Sequence, residues 1–349
     1  MDTTTFQWTV VGAGPAGIAA VGQLLDEGVR HEDILWLDPY FKVGDLGRYW
    51  SNISSNTKVK SFVNFLDAVR SFSYNSAPID FKINHLPQQD TCMLQCIVEP
   101  LLWVSDRLCT LVHTEKTMVH RLNLSQNQWT LQTDTNTYHS KNVILATGAE
   151  PEYLQHPNIE TIPFETAIDI DQLKNKVSSN DTIAVFGSSH SAIIILKYLT
   201  ELGVKKIINF YRSPCRYAIY MDDFILFDNT GLKGQTALWA RQNIDGTLPK
   251  NLVRYKSLST NINQFLPECN KVIYAVGFNR RSHITFENGY EHHQYNPHNG
   301  IIGPGLFGLG IAYPELKPDP FGFVESQVGL WKFMVYLDKV LPIWFQYHS

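Results

Sequence analysis

The hydrophobic pattern of the first forty residues predicts two short strands joined by one helix. Residues 7–11 form a short apolar run, residues 18–25 are an apolar helical stretch, and residues 34–37 form a second apolar run that ends at Asp38. Apolar runs of four or five residues are typical of buried strands. The order strand, helix, strand, acid is that of a βαβ unit.

The same order returns in the middle of the chain. Residues 183–186 predict a strand, residues 193–202 a helix that Gly203 ends, and residues 206–211 the next strand. Two further apolar strands are predicted at 142–145 and 271–274, each followed by a small-residue turn that contains glycine. The C-terminal stretch 328–345 is rich in Trp, Phe and Leu, and we expect a buried closing helix there.

Length and charge narrow the classes of function. A chain of 349 residues is too long for one ordinary core and predicts two or three domains. The 29 basic and 33 acidic residues give a net charge of −4, without the basic excess of a nucleic-acid binder. We therefore expect a small-molecule substrate and no nucleic-acid partner; a homodimer stays open.

The sequence predicts a cytoplasmic protein without an integral membrane segment. The N-terminus is short and polar, and no run of eighteen apolar residues occurs. The five cysteines are odd in number and form no CxxC, which favours reduced thiols. Cys92 and Cys96 would share a face if both lay in one helix, but no further Cys or His completes a metal site.

The turn after the first strand has the spacing that a dinucleotide requires. In GxGxxG, Gly12 permits the tight turn, Gly14 lets the backbone approach a pyrophosphate, and Gly17 lets the helix pack closely on the strand. The helix N-terminus offers N–H groups and partial positive charge to the phosphates. Asp38 is placed to accept hydrogen bonds from a ribose. The predicted binding residues are Gly12, Gly14, Pro15, Ala16, Gly17 and Asp38.

The second turn, residues 187–192, has a different sequence, and a different type of residue follows the second strand of its βαβ unit. Arg212 follows its second strand in place of an acid, with Arg216 nearby. An acid would repel a 2′-phosphate, whereas arginine pairs with it, so we expect NADPH rather than NADH. The predicted binding residues are Gly187, Ser188, Ser189, Ser191 and Arg212.

Ser189 in this turn leaves open the alternative that the second unit binds no nucleotide. Ser189 replaces the second glycine, and its Cβ would crowd a pyrophosphate, so a βαβ unit that has lost its ligand stays open. His190 occupies a variable position of the turn, and we expect it to be a surface residue.

The remaining turns resemble those of flavoproteins with two dinucleotide-binding domains. In these proteins, strands that end in Ala-Thr-Gly-like turns mark the crossings between domains. The matching residues here are Thr147, Gly148 and Gly277. The resemblance implies an α/β fold of two Rossmann-like dinucleotide-binding domains. The FAD domain would comprise residues 1–150 and 279–349, and the NAD(P)H domain, residues 151–278, would be inserted into it.

Within this pyridine nucleotide-disulfide oxidoreductase superfamily, the chain resembles the flavin-containing monooxygenase branch. Residues 44–50 are similar to the segment beside the flavin, and residues 54–58 to the active-site segment. The resemblance implies that Trp50 and Gln327 contact the cofactor and that Asn56 is catalytic. It also implies that residues 322–327 begin a helix whose N-terminus faces the flavin.

The resemblance implies a function, and departures from the family pattern keep others open. It implies that NADPH reduces FAD and that a peroxyflavin oxygenates a small nucleophilic N- or S-containing substrate. The His-containing monooxygenase fingerprint before the second turn is missing; His156 and Pro163-Phe164 lie in that zone but do not match it well. An NADPH dehydrogenase or oxidase that passes electrons to a quinone, a protein or oxygen stays open. So does a non-enzymatic FAD-binding sensor or interaction protein. Disulfide reduction is disfavoured because no cysteine pair lies where either type of disulfide reductase needs one.

Overall fold

The structure is a computed structural model that describes residues 4–287 and 294–347. The first elements in chain order are β1 (Thr5–Val11), α1 (Pro15–Asp26), β2 (Ile34–Leu37), α2 (Gly44–Tyr49), β3 (Ser54–Lys58), α3 (Val59–Asp67), β4 (Thr91–Met93), α4 (Gln95–Cys109), β5 (His113–Glu115), β6 (Val119–Ser125), β7 (Gln128–Thr133), β8 (Thr137–Leu145) and β9 (Ala149–Pro151).

The middle of the chain holds β10 (Glu160–Thr161), α5 (Phe164–Ala167), α6 (Ile170–Leu173), β11 (Thr182–Phe186), α7 (His190–Glu201), β12 (Lys206–Tyr211), β13 (Ile219–Tyr220), β14 (Ile225–Leu226), α8 (Gly234–Asn243), β15 (Leu252–Lys256), α9 (Ser259–Phe265), β16 (Lys271–Tyr274) and β17 (Phe278–Arg280). The last elements are β18 (Thr285–Phe286), β19 (Ile301–Gly303), β20 (Leu306–Gly308), β21 (Leu316–Pro318), β22 (Val324–Ser326) and α10 (Leu330–Gln346).

The chain divides into two compact units, and one of them is discontinuous in sequence. The first unit comprises Met1–Ala149, Arg280–Lys317 and Ser326–Ser349, and the second comprises Glu150–Asn279 and Pro318–Glu325. The two predicted βαβ units fall into different compact units. The α/β fold class predicted from the sequence is confirmed.

A nine-stranded sheet organises the first unit. Strands β5, β2, β1, β8 and β20 are neighbours in that order and all run parallel. The hairpin β6–β7 extends the sheet from β8 in the antiparallel sense. Helix α1 buries most of its length, including Ile18 and Leu24, in a core that α10 also enters. These contacts fix the start of α1 at the carboxyl end of β1, where the first glycine turn lies.

A five-stranded parallel sheet organises the second unit, in the order β10, β16, β11, β12, β15. The central strands are nearly continuous apolar runs because both of their faces are buried. Asn209 is the exception in β12, fully buried in a strand of Ile and Phe.

The expected helix start at 322–327 is wrong. Residues Val324–Ser326 form strand β22, and the final helix begins only at Leu330, after Gly329. The cause is local turn chemistry at Asp319. Its side-chain Oδ1 accepts from the backbone N–H of Phe323 at 2.9 Å, and its carbonyl accepts from Gly322 at 2.9 Å. Aspartate followed by proline and glycine favours such a turn over a helix.

The predicted C-terminal helix is present as α10, and it is amphipathic. Leu337, Val340 and Trp344 are buried, while Asp338, Lys339 and Gln346 are exposed. In the part of the chain that the structure describes, no helix combines the length and the apolar character that crossing a membrane requires.

Candidate functional site

The first glycine turn is shaped by close backbone contacts in the first unit. Gly12 has a φ of +113°, and a Cβ there would lie 2.3 Å from the carbonyl oxygen of Ala146. A Cβ on Gly17 would lie 1.9 Å from the carbonyl oxygen of Gly12. The indole Nε1 of Trp36 donates to that same carbonyl at 2.9 Å. The polypeptide itself therefore requires glycine at positions 12 and 17.

Gly14 differs because the polypeptide leaves space beside it. Its backbone is extended, with φ −77° and ψ 179°, which any residue adopts. An added Cβ would meet only the Cα of Gly44, at 3.9 Å. The polypeptide itself therefore does not require glycine at position 14. Glycine at such a position allows a ligand to approach the backbone closely. A side chain at Gly44 would be strained, since its φ is +58° and its Cβ would lie 3.0 Å from the Cα of Gly14.

The N-terminus of helix α1 has the features of an anion-binding site. It starts at Pro15, which lacks an N–H, and its N-cap Gly14 supplies no side-chain cap. No acidic residue lies in the first turn, so nothing there opposes a negative ligand. Ala16 and Gly17 supply the next backbone N–H groups. The open Gly14 and this uncapped helix start together fit the diphosphate of a dinucleotide.

Asp38 is already engaged in hydrogen bonds within the protein. It is 8% exposed; its Oδ2 accepts from Ala13 N, and its Oδ1 accepts from Tyr40 N and Phe41 N, each at 2.7 Å. A carboxylate has about four lone-pair sites, so about one remains for a ribose hydroxyl. Asp38 therefore shapes the turn whether or not a nucleotide is bound.

The Ala-Thr-Gly turn after β8 lies against the first glycine turn. The Cβ position of Gly12 is 3.5 Å from the backbone nitrogen of Thr147. The hydroxyl of Thr147 is buried and has no hydrogen-bond partner among the described residues. A buried hydroxyl in this state is costly, and a ligand atom at this point would remove that cost. Gly148 follows with φ +75°.

The structure places three other predicted residues of the first unit in different elements. Trp50 follows the last residue of α2 and is half-buried. Asn56 lies in the middle of β3, half-buried, and its Oδ1 accepts from the hydroxyl of Thr57 at 3.3 Å. Gln327 precedes α10, and its backbone N–H donates to the carbonyl of Glu315 at 2.8 Å.

The second glycine turn repeats the geometry of the first within the second unit. Gly187 has a φ of +126°, and its Cβ would lie 2.2 Å from the carbonyl oxygen of Ala275. Ser189 is the N-cap of α7 with an extended backbone and without a side-chain cap bond. The hydroxyl of Ser188 donates to the carbonyl of Ser213 at 2.8 Å. Ser191 lies in the first turn of the helix.

Asn209 supports this turn, and the sequence reasoning missed it. Its side-chain amide donates to the carbonyls of Val185 and Gly187 at 2.9 and 2.8 Å, and its Oδ1 accepts from Arg254 Nε at 2.8 Å. The available signal was a single asparagine inside an apolar strand. A buried amide of this kind is retained because its hydrogen bonds are satisfied.

The prediction for His190 is wrong. The residue opens α7, is half-buried, and its Nδ1 is buried without a hydrogen-bond partner among the described residues. Burial, helped by the charge of Lys233, lowers the pKa of His190 to about 4. The imidazole is therefore neutral at physiological pH.

The two arginines after β12 have different environments. Arg212 is exposed and makes no hydrogen bond or ion pair with another described residue. The guanidinium of Arg216 lies 4.7 Å from the ring centre of Phe227 and 4.9 Å from that of Phe323. It also donates to Thr230 at 3.3 Å. Arg212 is thus the residue that is free to pair with a ligand phosphate.

The cysteines are poorly suited to electron relay. Cys92 lies in β4 and Cys96 in α4, so the two residues do not lie in one helix and do not share a helix face. Burial raises the pKa of Cys92 to about 11, and the neighbouring Cys96 adds to the shift. Burial likewise raises the pKa of Cys109 to about 11, that of Cys269 to about 12, and that of Cys215. The thiolate is the reactive form, and burial therefore disfavours the reactive form of these four thiols.

Comparison with known sequences decides the family. Residues 9–212, more than half of the chain, match the family described as pyridine nucleotide-disulphide oxidoreductase. The chain belongs to the pyridine nucleotide-disulphide oxidoreductase family. A relative, Monooxygenase AgnR1 of Paecilomyces divaricatus, is 33% identical over 388 aligned positions, which cover 96% of this chain and 97% of the relative.

Solved structures of two kinds of enzyme have the same fold at low sequence identity. An ornithine N-hydroxylase of Kutzneria sp. 744 is 11% identical, with 98% of this chain and 99% of that chain covered and a TM-score of 0.68. Thioredoxin reductase of Lactococcus lactis is 13% identical, with 98% and 99% covered and a TM-score of 0.60. Since both kinds of enzyme share the fold, the fold alone does not choose between their reactions.

Membership of this family, with the AgnR1 relative matching nearly the whole chain, confirms the predicted oxidoreductase. The non-enzymatic alternative is therefore set aside. The residues that hold each cofactor, and the substrate, remain proposals.

Proposed function

We propose that this chain is an FAD- and NADPH-dependent monooxygenase that oxygenates a small nucleophilic substrate containing nitrogen or sulfur. The first unit would hold FAD at Gly12–Gly17 and Asp38. The second unit would hold NADPH at its own glycine turn, with Arg212 on the 2′-phosphate. When bound, FAD supplies the acceptor for a hydride and the electrons that activate oxygen.

The observation that carries the proposal is a difference between the two units. Asp38 accompanies the glycine turn of the first unit, and Arg212 accompanies that of the second. Asp38 directly follows β2, the second strand of the first βαβ unit, and Arg212 directly follows β12, the second strand of the other. The acid favours a ribose hydroxyl, and the arginine favours a 2′-phosphate. One turn thus favours a ribose with a free 2′-hydroxyl and the other favours a 2′-phosphate. This difference supports the binding of FAD in the first unit and NADPH in the second.

Two observations favour oxygen transfer over thiol relay. Burial raises the pKa of Cys92, Cys109, Cys215 and Cys269, which disfavours the nucleophilic thiolate at these four positions. The AgnR1 relative, which matches almost the whole chain, carries the name monooxygenase. Asn56 would donate its amide hydrogens to the oxygen that is being transferred, while the surrounding protein excludes water.

The test is product analysis with labelled oxygen. The purified protein is mixed with NADPH, ¹⁸O₂ and a panel of primary amines, hydroxylamines and thioethers, and products are measured by mass spectrometry. We expect at least one substrate to gain a single ¹⁸O atom for each NADPH consumed. Conversion of all NADPH to hydrogen peroxide across the panel would instead identify an NADPH oxidase. Rapid reduction of a quinone without oxygen would identify a dehydrogenase.

Replacement of Arg212 by alanine should change the choice between the two pyridine nucleotides. A charge-assisted hydrogen-bonded pair with the 2′-phosphate contributes roughly 1.5–3 kcal/mol. The Kd for NADPH, measured by stopped-flow reduction of the flavin, should therefore rise about tenfold or more, and the Kd for NADH should change little.

The matched control is Arg241→Ala in helix α8 of the same unit, where the guanidinium lies over the ring of Tyr217 at 3.9 Å. It should leave the NADPH to NADH ratio unchanged. Equal losses of both nucleotides in Arg212→Ala would show that Arg212 is a structural residue.

A further inference from the structure

Arg281 lies on the Ala-Thr-Gly turn of the first unit, and its guanidinium faces two partners. Its Nη1 donates to the carbonyl of Thr147 at 3.2 Å, and its Nη2 forms an ion pair with Asp45 Oδ2. A Cβ on Gly148 would lie 3.2 Å from Nη1. Arg281 therefore closes over the turn and ties it to the first turn of α2.

Asp45 is held between two arginines. Arg48 Nη1 lies 3.7 Å from Asp45 Oδ1, whereas Arg281 pairs with Oδ2. The guanidinium of Arg48 also lies 3.8 Å from the ring centre of Tyr40, whose backbone N–H donates to Asp38. A continuous chain of contacts thus runs from the loop after β2, through α2, to the turn after β8.

This chain of contacts adjoins the proposed FAD site at two points, in α2 and at the turn after β8. Gly44, next to Asp45, is the residue that meets Gly14. Thr147 is the residue whose backbone nitrogen lies 3.5 Å from the Cβ position of Gly12. Arg281 therefore joins the two segments that flank the open glycine turn, although 236 residues separate it from Asp45.

The charges also matter for a bound diphosphate. A lone carboxylate at the start of α2 would repel an anion held at Gly14. Arg281 and Arg48 outweigh this single negative charge, so the three side chains together are positive by one unit. The side chains of Arg281 and Asp45 are only 28% and 18% exposed, which limits screening by solvent.

We propose that Arg281 is a cofactor-positioning residue of the first unit, which holds the Thr147–Gly148 turn against α2 and offsets the charge of Asp45 beside the diphosphate of FAD. The proposal rests on the proposed function, because it requires FAD in the first unit.

If Arg281 both holds the turn and offsets the charge of Asp45, replacing Arg281 and replacing Asp45 should lower FAD affinity by different amounts. Arg281→Gln removes the tie and leaves the Asp45 charge without this partner, so the Kd for FAD should rise about tenfold or more. Asp45→Asn also removes the tie, but it removes the repelling charge as well, so the loss should be clearly smaller. Arg281→Lys keeps the charge with fewer donors and should fall between Arg281→Gln and the unchanged protein.

The measurement is fluorescence titration of the flavin-free protein with FAD at low and high salt, together with thermal unfolding of the flavin-free protein and visible circular dichroism of the flavin complex. The control is Arg121→Gln, which breaks the ion pair with Glu287 at 2.9 Å elsewhere in the same unit. The control should leave the Kd for FAD and the flavin dichroism unchanged.

Equal losses of FAD affinity in Arg281→Gln and Asp45→Asn, or no loss in Arg281→Gln, would overturn the proposal. If Arg281→Gln does not fold, Arg281→Lys is measured beside Asp45→Asn. The proposal then requires that the visible circular dichroism of the flavin in Arg281→Lys differ from that of the unchanged protein. An unchanged protein that binds no FAD would contradict the proposed function, and that outcome is distinct from unaltered binding in Arg281→Gln.

Discussion

Gly14→Ala should sharply weaken FAD binding while leaving the flavin-free protein folded. The added methyl would meet only the Cα of Gly44 within the polypeptide, at 3.9 Å, and the backbone at Gly14 is already extended. A diphosphate that lies against the backbone would be displaced by that methyl. Overpacking of this kind costs about 1–3 kcal/mol, so the Kd for FAD should rise about five- to 150-fold.

Gly17→Ala is the informative contrast. Its methyl would lie 1.9 Å from the carbonyl oxygen of Gly12, so the flavin-free protein should itself lose stability. Thermal unfolding and FAD titration of both variants separate the two effects. We expect Gly14→Ala to keep the Tm of the unchanged protein and Gly17→Ala to lower it. Normal FAD affinity in Gly14→Ala would mean that no cofactor approaches this turn closely.

Asn56→Leu should uncouple NADPH oxidation from oxygenation. An amide at this position can donate to a transferred oxygen and accept from the nicotinamide amide, and leucine can do neither. Loss of one preorganised donor in a site shielded from water costs on the order of 3 kcal/mol, or about a hundredfold in the rate of the step it serves. FAD binding should persist, because the glycine turn is unaltered, and reduction by NADPH should slow only modestly.

The measured quantity is hydrogen peroxide released per NADPH consumed, with a substrate that the product analysis identifies. We expect the ratio to rise strongly in Asn56→Leu. Asn64→Leu, in helix α3, makes the same chemical change at another half-buried position and should leave the ratio unchanged. If Asn56→Leu matches the unchanged protein at every step, Asn56 has only a local role in β3.

Local patterns predicted the framework of the candidate site because they require no knowledge of distant contacts. The strand, glycine turn and helix around Gly12–Gly17 follow from the order of apolar and small residues alone, and the structure has these elements in that order. The second unit repeats the order around Gly187. In both turns the polypeptide itself requires the first glycine, because its Cβ would strike a backbone carbonyl of a neighbouring strand end.

The sequence could not predict contacts between distant segments. The ion pair of Asp45 with Arg281 joins residues with no shared motif, and the support of the second turn by Asn209 depends on which strands are neighbours. The error at residues 322–327 has the opposite cause. There a family resemblance suggested a helix, and the turn chemistry of Asp319 prevails in the structure.

The most direct test of the central claim, that this chain is an FAD enzyme reduced by NADPH, is the absorption spectrum of the bound flavin during anaerobic mixing with NADPH. We predict a yellow protein with non-covalent FAD, whose flavin absorption is bleached by NADPH faster than by NADH and returns when oxygen is admitted. A folded protein that is colourless and takes up no added FAD, or one whose bound flavin neither nucleotide reduces, would contradict the account.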